Sequence, residues 1–300
     1  MRKTASILGA ALVLAFGAAS GHAGVSAEQA AELGRSLTPM GAERAGNAAG
    51  TIPAWEGGLD SAPAGHVPGS HYADPFADDR PLFTIDASNV EQYADRLTPG
   101  QVAMLRTYPD WKMNVYPTRR SAAFPQGHYE QTMANATRVT LVDGGRTIAG
   151  TTGGIPFPIP QNGAEAIWTV SMADVLRPGH LNPEHARYEL HRVWVVEARL
   201  KDGTSHVYKR RTFYIDEDSW MTLVVDKYDS RDQLWRVSEQ HNINFYDIPM
   251  QYPSLKVHHD LQSGRYIAMG LRNDEAQVYK VIDARPASFT PAGLRGVGTR

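Results

Sequence analysis

Between Tyr188 and Leu271 the chain repeats one pattern with hardly a break: a strand-length run, a short turn-forming cluster, then another run. "YELHRVWVVEARLKDG", "HVYKRRTFYIDEDS", "WMTLVVDKYDS" and "DQLWRVSEQ" come first, and runs around "LKVHH" and "RYIAMGL" flank the turn "DLQSG". Parallel strands need crossover connections, usually helical, and runs spaced this closely leave no room for them. The stretch is predicted to be an antiparallel meander.

Alternation along these runs sets what the sheet can cover. In the first, Leu190, Trp194, Val196, Ala198 and Leu200 share a face interrupted by Arg192, and His191, Val193, Val195, Glu197 and Arg199 share the other. In the second, Val207, Phe213 and Ile215 lie with Lys209 and Arg211, opposite Tyr208 and Tyr214. Met221, Leu223 and Val225 form an apolar row in the third. A curved antiparallel sheet with one apolar face packs on helices or holds an apolar ligand between itself and them. Both uses write the same letters.

The preceding half reads differently. Ser26 with Gln29 three residues on is a capping-box pattern, predicting a helix to about Leu37. Residues 39 to 81 carry many prolines and glycines and little periodicity. Short helices are expected near Ser88 to Leu97 and again from Thr98, where Pro99 fits the first helical position. "RVTLVDGGRTIA" reads as a hairpin turning at Asp143 to Gly145, and Asn162 with Glu165 opens a helix through "AEAIW". Pro156, Pro158 and Pro160, at alternate positions, cannot donate to a sheet ladder, so that tract is expected to be extended outside a central strand. The whole is an α+β chain dominated by its C-terminal sheet. A single domain is expected over 24 to 300: helical and loop-rich to 137, mainly antiparallel sheet from 138, irregular from about 284.

Arg2 and Lys3 precede an apolar run, Ile7 to Ala19, followed by the small residues Gly21 and Ala23. That is the layout of an export signal cleaved after about Ala23, and it is too short to span a bilayer. A periplasmic protein that spans no membrane is the expectation. A net charge of −2 argues against nucleic-acid binding, which needs a basic face. No cysteine is present, so disulfides, thiolate metal sites and cysteine nucleophiles are excluded. None of the nucleophile-elbow, zincin, phosphate-loop or dinucleotide motifs appears, and no catalytic residue, metal ligand set or cofactor is assigned. "HHD", His258 to Asp260, offers at most two ligands on one strand face, short of a metal site. The acids of "YIDEDSW" read as a solvated hairpin turn. Trp194, Trp220 and Trp235 line a pocket or, more commonly for sheet aromatics, fill the core.

One loop stands apart. "NAAGTIPAWEGGL" sets Trp55 among small residues, two adjacent glycines and a proline. It reads as a turn-rich loop whose Trp plugs into a core or serves as a docking point.

The blocks "LTPMGAERAGNAAGTIPAWEGGL", "GGIPFPIPQNGAEAIW", "ARYELHRVWVVEARLKDG", "KRRTFYIDEDSWMTLVVDKYDSRDQLWRV" and "DLQSGRYIAMGL" together resemble the bacterial family catalogued as domain of unknown function 1329, also described as outer-membrane lipoprotein sorting-like. They lie in the family's order and span nearly the whole mature chain. The resemblance implies a fold like the periplasmic lipoprotein carriers, an open half-barrel with short helices on its concave face. It implies a lipid-like, acylated or otherwise hydrophobic cargo, with a resistance-nodulation-division type transporter and an outer-membrane protein as partners. It carries no catalytic residues. The chain departs from its relatives where "NGAEAIW" runs within a short distance into "VLRPGHLNPEHARYELHRVWVV", since they carry additional strands there.

These readings converge on non-catalytic binding or transfer of hydrophobic cargo. The expected lining is Trp194, Val196, Phe213, Ile215, Leu223 and Val225, each of which fits a sealed core equally well. Two other readings stand beside it: an envelope adaptor without a ligand, docking through Trp55, Pro156 and Pro158, and an enzyme acting on a lipid or glycan.

Overall fold

The computed structural model describes residues 24–67, 70–142, 147–151, 153–161, 180, 182–183 and 186–270. The expected export signal, the turn at Asp143 to Gly145, the helix opened by Asn162 and the tail from about 284 lie outside the described residues.

The N-terminal half is a wrap of short elements. Helix α1 (Ala27–Ala30) has the full capping box, with Ser26 and Gln29 each accepting from the other's backbone N–H, but it is one turn long and does not reach Leu37. Strand β1 (Phe83–Ile85) is followed by two 3-10 turns, Val90–Gln92 and Ala94–Arg96. Helix α2 (Pro99–Thr107) opens on a second capping box, Thr98 with Gln101, and Pro99 sits in its first turn. Strand β2 (Met113–Val115) pairs antiparallel with β1. Helix α3 (Gln126–Arg138) leads into the hairpin of β3 (Thr140–Val142) and β4 (Thr147–Ala149).

The meander is one six-stranded antiparallel sheet in sequence order: β5 (Val193–Arg199), β6 (Arg210–Asp216), β7 (Thr222–Tyr228), β8 (Leu234–Phe245), β9 (Met250–Asp260) and β10 (Arg265–Met269). It stays open, with β5 and β10 as edges. Register shifts at Tyr214/Ile215, Lys227/Tyr228 and His241/Asn242 bend it, because an extra residue in one strand raises the local twist.

Both faces of the sheet are covered in part. On one, Val196, Ile215 and Trp220 pack with Met40, Trp55, Tyr129 and Ile155 from the wrap. On the other, Val224 and Val237 meet Met104 and Leu105 of α2 and Trp111 and Met113 beyond it. The loop holding Trp55 is pinned from below. Arg120 donates to the carbonyls of Glu43, Arg44 and Pro53 at 2.7, 3.1 and 3.1 Å and forms a two-point ion pair with Asp218. Gly58, at φ +76°, lets the chain leave this loop against Ala122, whose carbonyl oxygen lies 2.1 Å from where a Cβ would stand.

Candidate functional site

Where the wrap and the bent sheet do not touch, they enclose a cavity of about 900 Å³. Its sheet wall includes Val193, Tyr214, Leu223, Val224 and Glu239, and its opposite wall Tyr72, Phe76, Phe83, Met113 and Tyr188. Tyr188 is held there by β2: it forms a parallel bridge to Val115 and exchanges backbone hydrogen bonds with Tyr116 and Asn114 at 2.8 and 3.2 Å. Val195, on edge strand β5, lines it and is still 62% exposed, as is Leu82 on the opposite wall at 64%.

The expected lining residues fall mostly on the far side of the sheet. Trp194 pairs with Ile215 and Val196 with Phe213, so all four share a face, and that face is filled by Met40, Trp55, Tyr129, Ile155 and Trp220. Val225 pairs with Phe213 and faces the same way. Leu223 lines the cavity. It is the residue left outside the ladder where Tyr214 pairs with Val224 and Ile215 with Thr222, and the bulge turns it inward. Val196 and Ile215 are buried in that core and Trp194 and Phe213 are partly buried against it, because the wrap supplied a second apolar partner surface that alternation within the strands does not reveal.

The docking candidates sit within the fold as well. Trp55 is buried, with its ring edge-on to Tyr129 at 6.3 Å and Nε1 donating to the Ala122 carbonyl at 3.4 Å. Pro158 is buried and Pro156 half-buried.

Of the acids of "YIDEDSW", Asp216 is buried and Glu217 and Asp218 are half-buried, which corrects the solvated turn. Asp216 is 4% exposed, accepts from the Ser219 backbone and hydroxyl, and lies 2.8 Å from His191 Nδ1. Burial works against charge on His191, but Asp216, then Glu189 and Asp218, outweigh it and raise its pKa to about 9. Asp218 is the ion-pair partner of Arg120. In this turn Trp220 takes a positive φ of 61°, which aims its indole at the Met40 carbonyl, 2.6 Å from Nε1.

Other charges around the cavity are also paired. Arg187 reaches Asp79 at 2.7 Å and Glu189 at 2.6 Å, and Arg119 pairs with the same Asp79. Hydrogen bonding from Arg119, then from Arg187, holds Asp79 at about 2. On the sheet wall the pattern changes. Burial, reinforced by Asp226, pushes Glu239 up to about 8, and burial alone brings His241 down to about 4. Asp226 is raised to about 6 by burial, against the hydrogen bond it accepts from the Gly100 N–H at 3.1 Å. None of these was singled out from the sequence, although Glu239 and His241 alternate in phase with the buried Val237. Among the described residues no three histidine or acidic side chains come together as a metal site.

A family model described as Protein of unknown function (DUF1329) matches residues 84–173 and 169–295. The chain belongs to this family. Uncharacterized protein PA3922 of Pseudomonas aeruginosa is 32% identical in an alignment of 444 residues that takes in 96% of this chain and 97% of the relative. An alignment that long against 300 residues leaves well over a hundred positions of the relative without a counterpart. The two stretches of the DUF1329 model meet at 169–173, between "NGAEAIW" and "VLRPGHLNPEHARYELHRVWVV", where the resemblance sets the missing strands. Two solved structures overlap the fold locally. A DUF1329 family protein from Desulfovibrio piger is 17% identical with a TM-score of 0.24, over 34% of this chain and 40% of that one. A putative outer membrane lipoprotein-sorting protein domain from Vibrio parahaemolyticus is 16% identical with a TM-score of 0.24, over 36% and 44%. Among the described residues no helix is long and apolar enough to cross a membrane.

Proposed function

We propose that this chain is an exported, non-catalytic binding protein that takes an apolar or amphipathic molecule into the cavity between its sheet and its wrap. The cavity carries the proposal: about 900 Å³ falls within the usual range for small-molecule sites, and its walls are rich in aromatic and aliphatic side chains. Removing a cargo's apolar surface from water would supply about 25 cal/mol per Å². Export to the periplasm rests on the N-terminal sequence pattern, and hand-over to a transporter of the resistance-nodulation-division type rests on the family resemblance.

The test is titration with the uncharged fluorophore N-phenyl-1-naphthylamine, alongside mass spectrometry of lipids extracted from the purified protein. Saturable binding is expected, weakened at least tenfold in Leu223→Trp and in Val115→Trp, which fill the cavity from opposite walls. Binding unchanged in both variants, or no binding at all, would remove the cavity as the site.

A further inference from the structure

The cavity's sheet wall holds one carboxyl group with no counter-charge. Glu239 lies near the middle of β8, is 3% exposed and lines the cavity, and neither Oε1 nor Oε2 has a hydrogen-bond partner among the described residues. Among the described residues three further cavity-lining groups share this condition: the Tyr188 hydroxyl, His241 Nε2 and Asn244 Oδ1. Glu239, Tyr188 and His241 belong together. Tyr188 feels the charge of Glu239, and its ring lies edge-on to His241 at 6.0 Å. Buried polar groups in folded proteins are nearly always satisfied, and buried charges are paired. Among the described residues that line the cavity, the arginines and His191 are already engaged with other acids: Arg96 with Asp95, Arg120 with Asp218, Arg187 with Asp79 and Glu189, and His191 with Asp216. None of these pairs includes Glu239.

We propose that Glu239, Tyr188 and His241 form a subsite for a protonated amine, so that the cargo is a cationic amphiphile with its apolar chain along the aromatic wall. The inference rests on the cavity-binding function proposed above. An ammonium group has three N–H donors and no acceptor, and the subsite offers a carboxylate, a phenolic oxygen and a neutral imidazole nitrogen. The Tyr188 proton then turns to the second carboxylate oxygen. An anionic head group would meet Glu239 and, diagonally across the β7–β8 ladder, Asp226. An alcohol offers one donor and brings no charge to balance the acid.

The groups facing Glu239 set the pH behaviour. They are His241 on its own strand, held neutral by burial, Asp226 on β7, Tyr214 on β6 and Tyr188 from the wrap, with α2 contributing the Gly100 N–H to Asp226. Burial keeps Glu239 protonated in the free protein at neutral pH. An entering ammonium displaces that proton, which passes to the buffer.

Calorimetric titration of the purified chain with dodecylamine, dodecanol and dodecanoate, below their micelle concentrations, tests this. At pH 8 the amine is expected to bind at least tenfold more tightly than the alcohol, with the carboxylate weakest. Amine affinity should fall by up to about tenfold per pH unit below 8, with proton release visible in buffers of different ionisation enthalpy. Glu239→Gln should abolish the preference and the proton release, and Tyr188→Phe should reduce the preference severalfold. Equal binding of all three probes, or a preference that survives Glu239→Gln, overturns the subsite and leaves the cavity standing. Binding of none overturns both.

Discussion

Arg120 is 5% exposed and sits at a positive φ of 47°, a strained place for a long side chain. Its planar fork joins three loop carbonyls to Asp218, closing the Trp55 loop against the β6–β7 turn, and a single ammonium could not serve so many acceptors at once. Arg120→Ala should therefore cost about 3 to 5 kcal/mol, because it leaves a buried carboxylate without its cation. Arg120→Lys should lose an intermediate amount, and urea denaturation measures both. An alanine variant within about 1 kcal/mol of the parent would show that the loop stands without its pin. Glu239 makes a second prediction at this scale. Its carboxyl ionises near 4.5 in the unfolded chain and about 8 in the fold, so between those values the folded state holds a proton that the unfolded state has released. Stability must fall as pH rises through that window, by an amount on the order of a few kcal/mol. His191, raised to about 9, adds its own loss between pH 6.5 and 9. Glu239→Gln removes only the first, so its stability relative to the parent should grow from pH 5 to pH 8. A constant difference across that range would place Glu239 in contact with water. Neither residue announces itself in the sequence: Arg120 and Asp218 are far apart along the chain, and a lone Glu in a strand reads as a solvated face.

Elements with local signals were legible, and elements that depend on tertiary contact were not. All six strand runs became strands, the Ser26–Gln29 capping box formed and α2 starts at Pro99, because turn chemistry and caps act over three or four residues. Helix α3, the longest described helix, escaped notice. It starts at Gln126 behind Pro125, which provides no side-chain cap, and it buries Tyr129, Thr132, Asn135 and Ala136, a mixed set that makes no apolar stripe. Asn135 is satisfied by the carbonyls of Gly153 and Ile155 at 2.7 and 2.9 Å, contacts that no periodicity foretells. Helix α2 shows what such contact demands. A Cβ on Gly100 would stand 2.0 Å from Asp226 Oδ1 and 2.8 and 2.9 Å from the Val237 methyls. Alanine is the better helix former by about 1 kcal/mol, yet forcing α2 off β7 and β8 should outweigh that gain. Gly100→Ala is expected to lower stability by about 1 to 3 kcal/mol in thermal melts. A neutral or stabilised variant would mean that α2 docks more loosely than the packing implies.

At the scale of the molecule, alternation announced a sheet but not which face would be sealed. The wrap covers the sheet from both sides, so the face with Trp194 and Val196 became core and the more polar face, with Glu239 and His241, became the cavity wall. The break in the family match at 169–173 falls before β5, one edge of the sheet, and the described residues still wall a cavity. What holds that cavity open is then the joint packing of wrap and sheet. Neither core belongs to one half: Met40, Trp55 and Tyr129 close on Ile215 and Trp220, and Met104, Leu105 and Trp111 close on Val224 and Val237. A wrap removed from the sheet would expose both sets to water, and a sheet without the wrap would expose two apolar faces, so neither is expected to persist alone. The two should therefore unfold as one unit. Hydrogen exchange resolved by peptide across a urea series checks this, with amides of α2 and β7 expected to lose protection at a common midpoint that coincides with the far-UV transition. Opening of α2 at lower urea, with β7 still protected, would make the wrap a separable lid over the cavity instead of one of its structural walls.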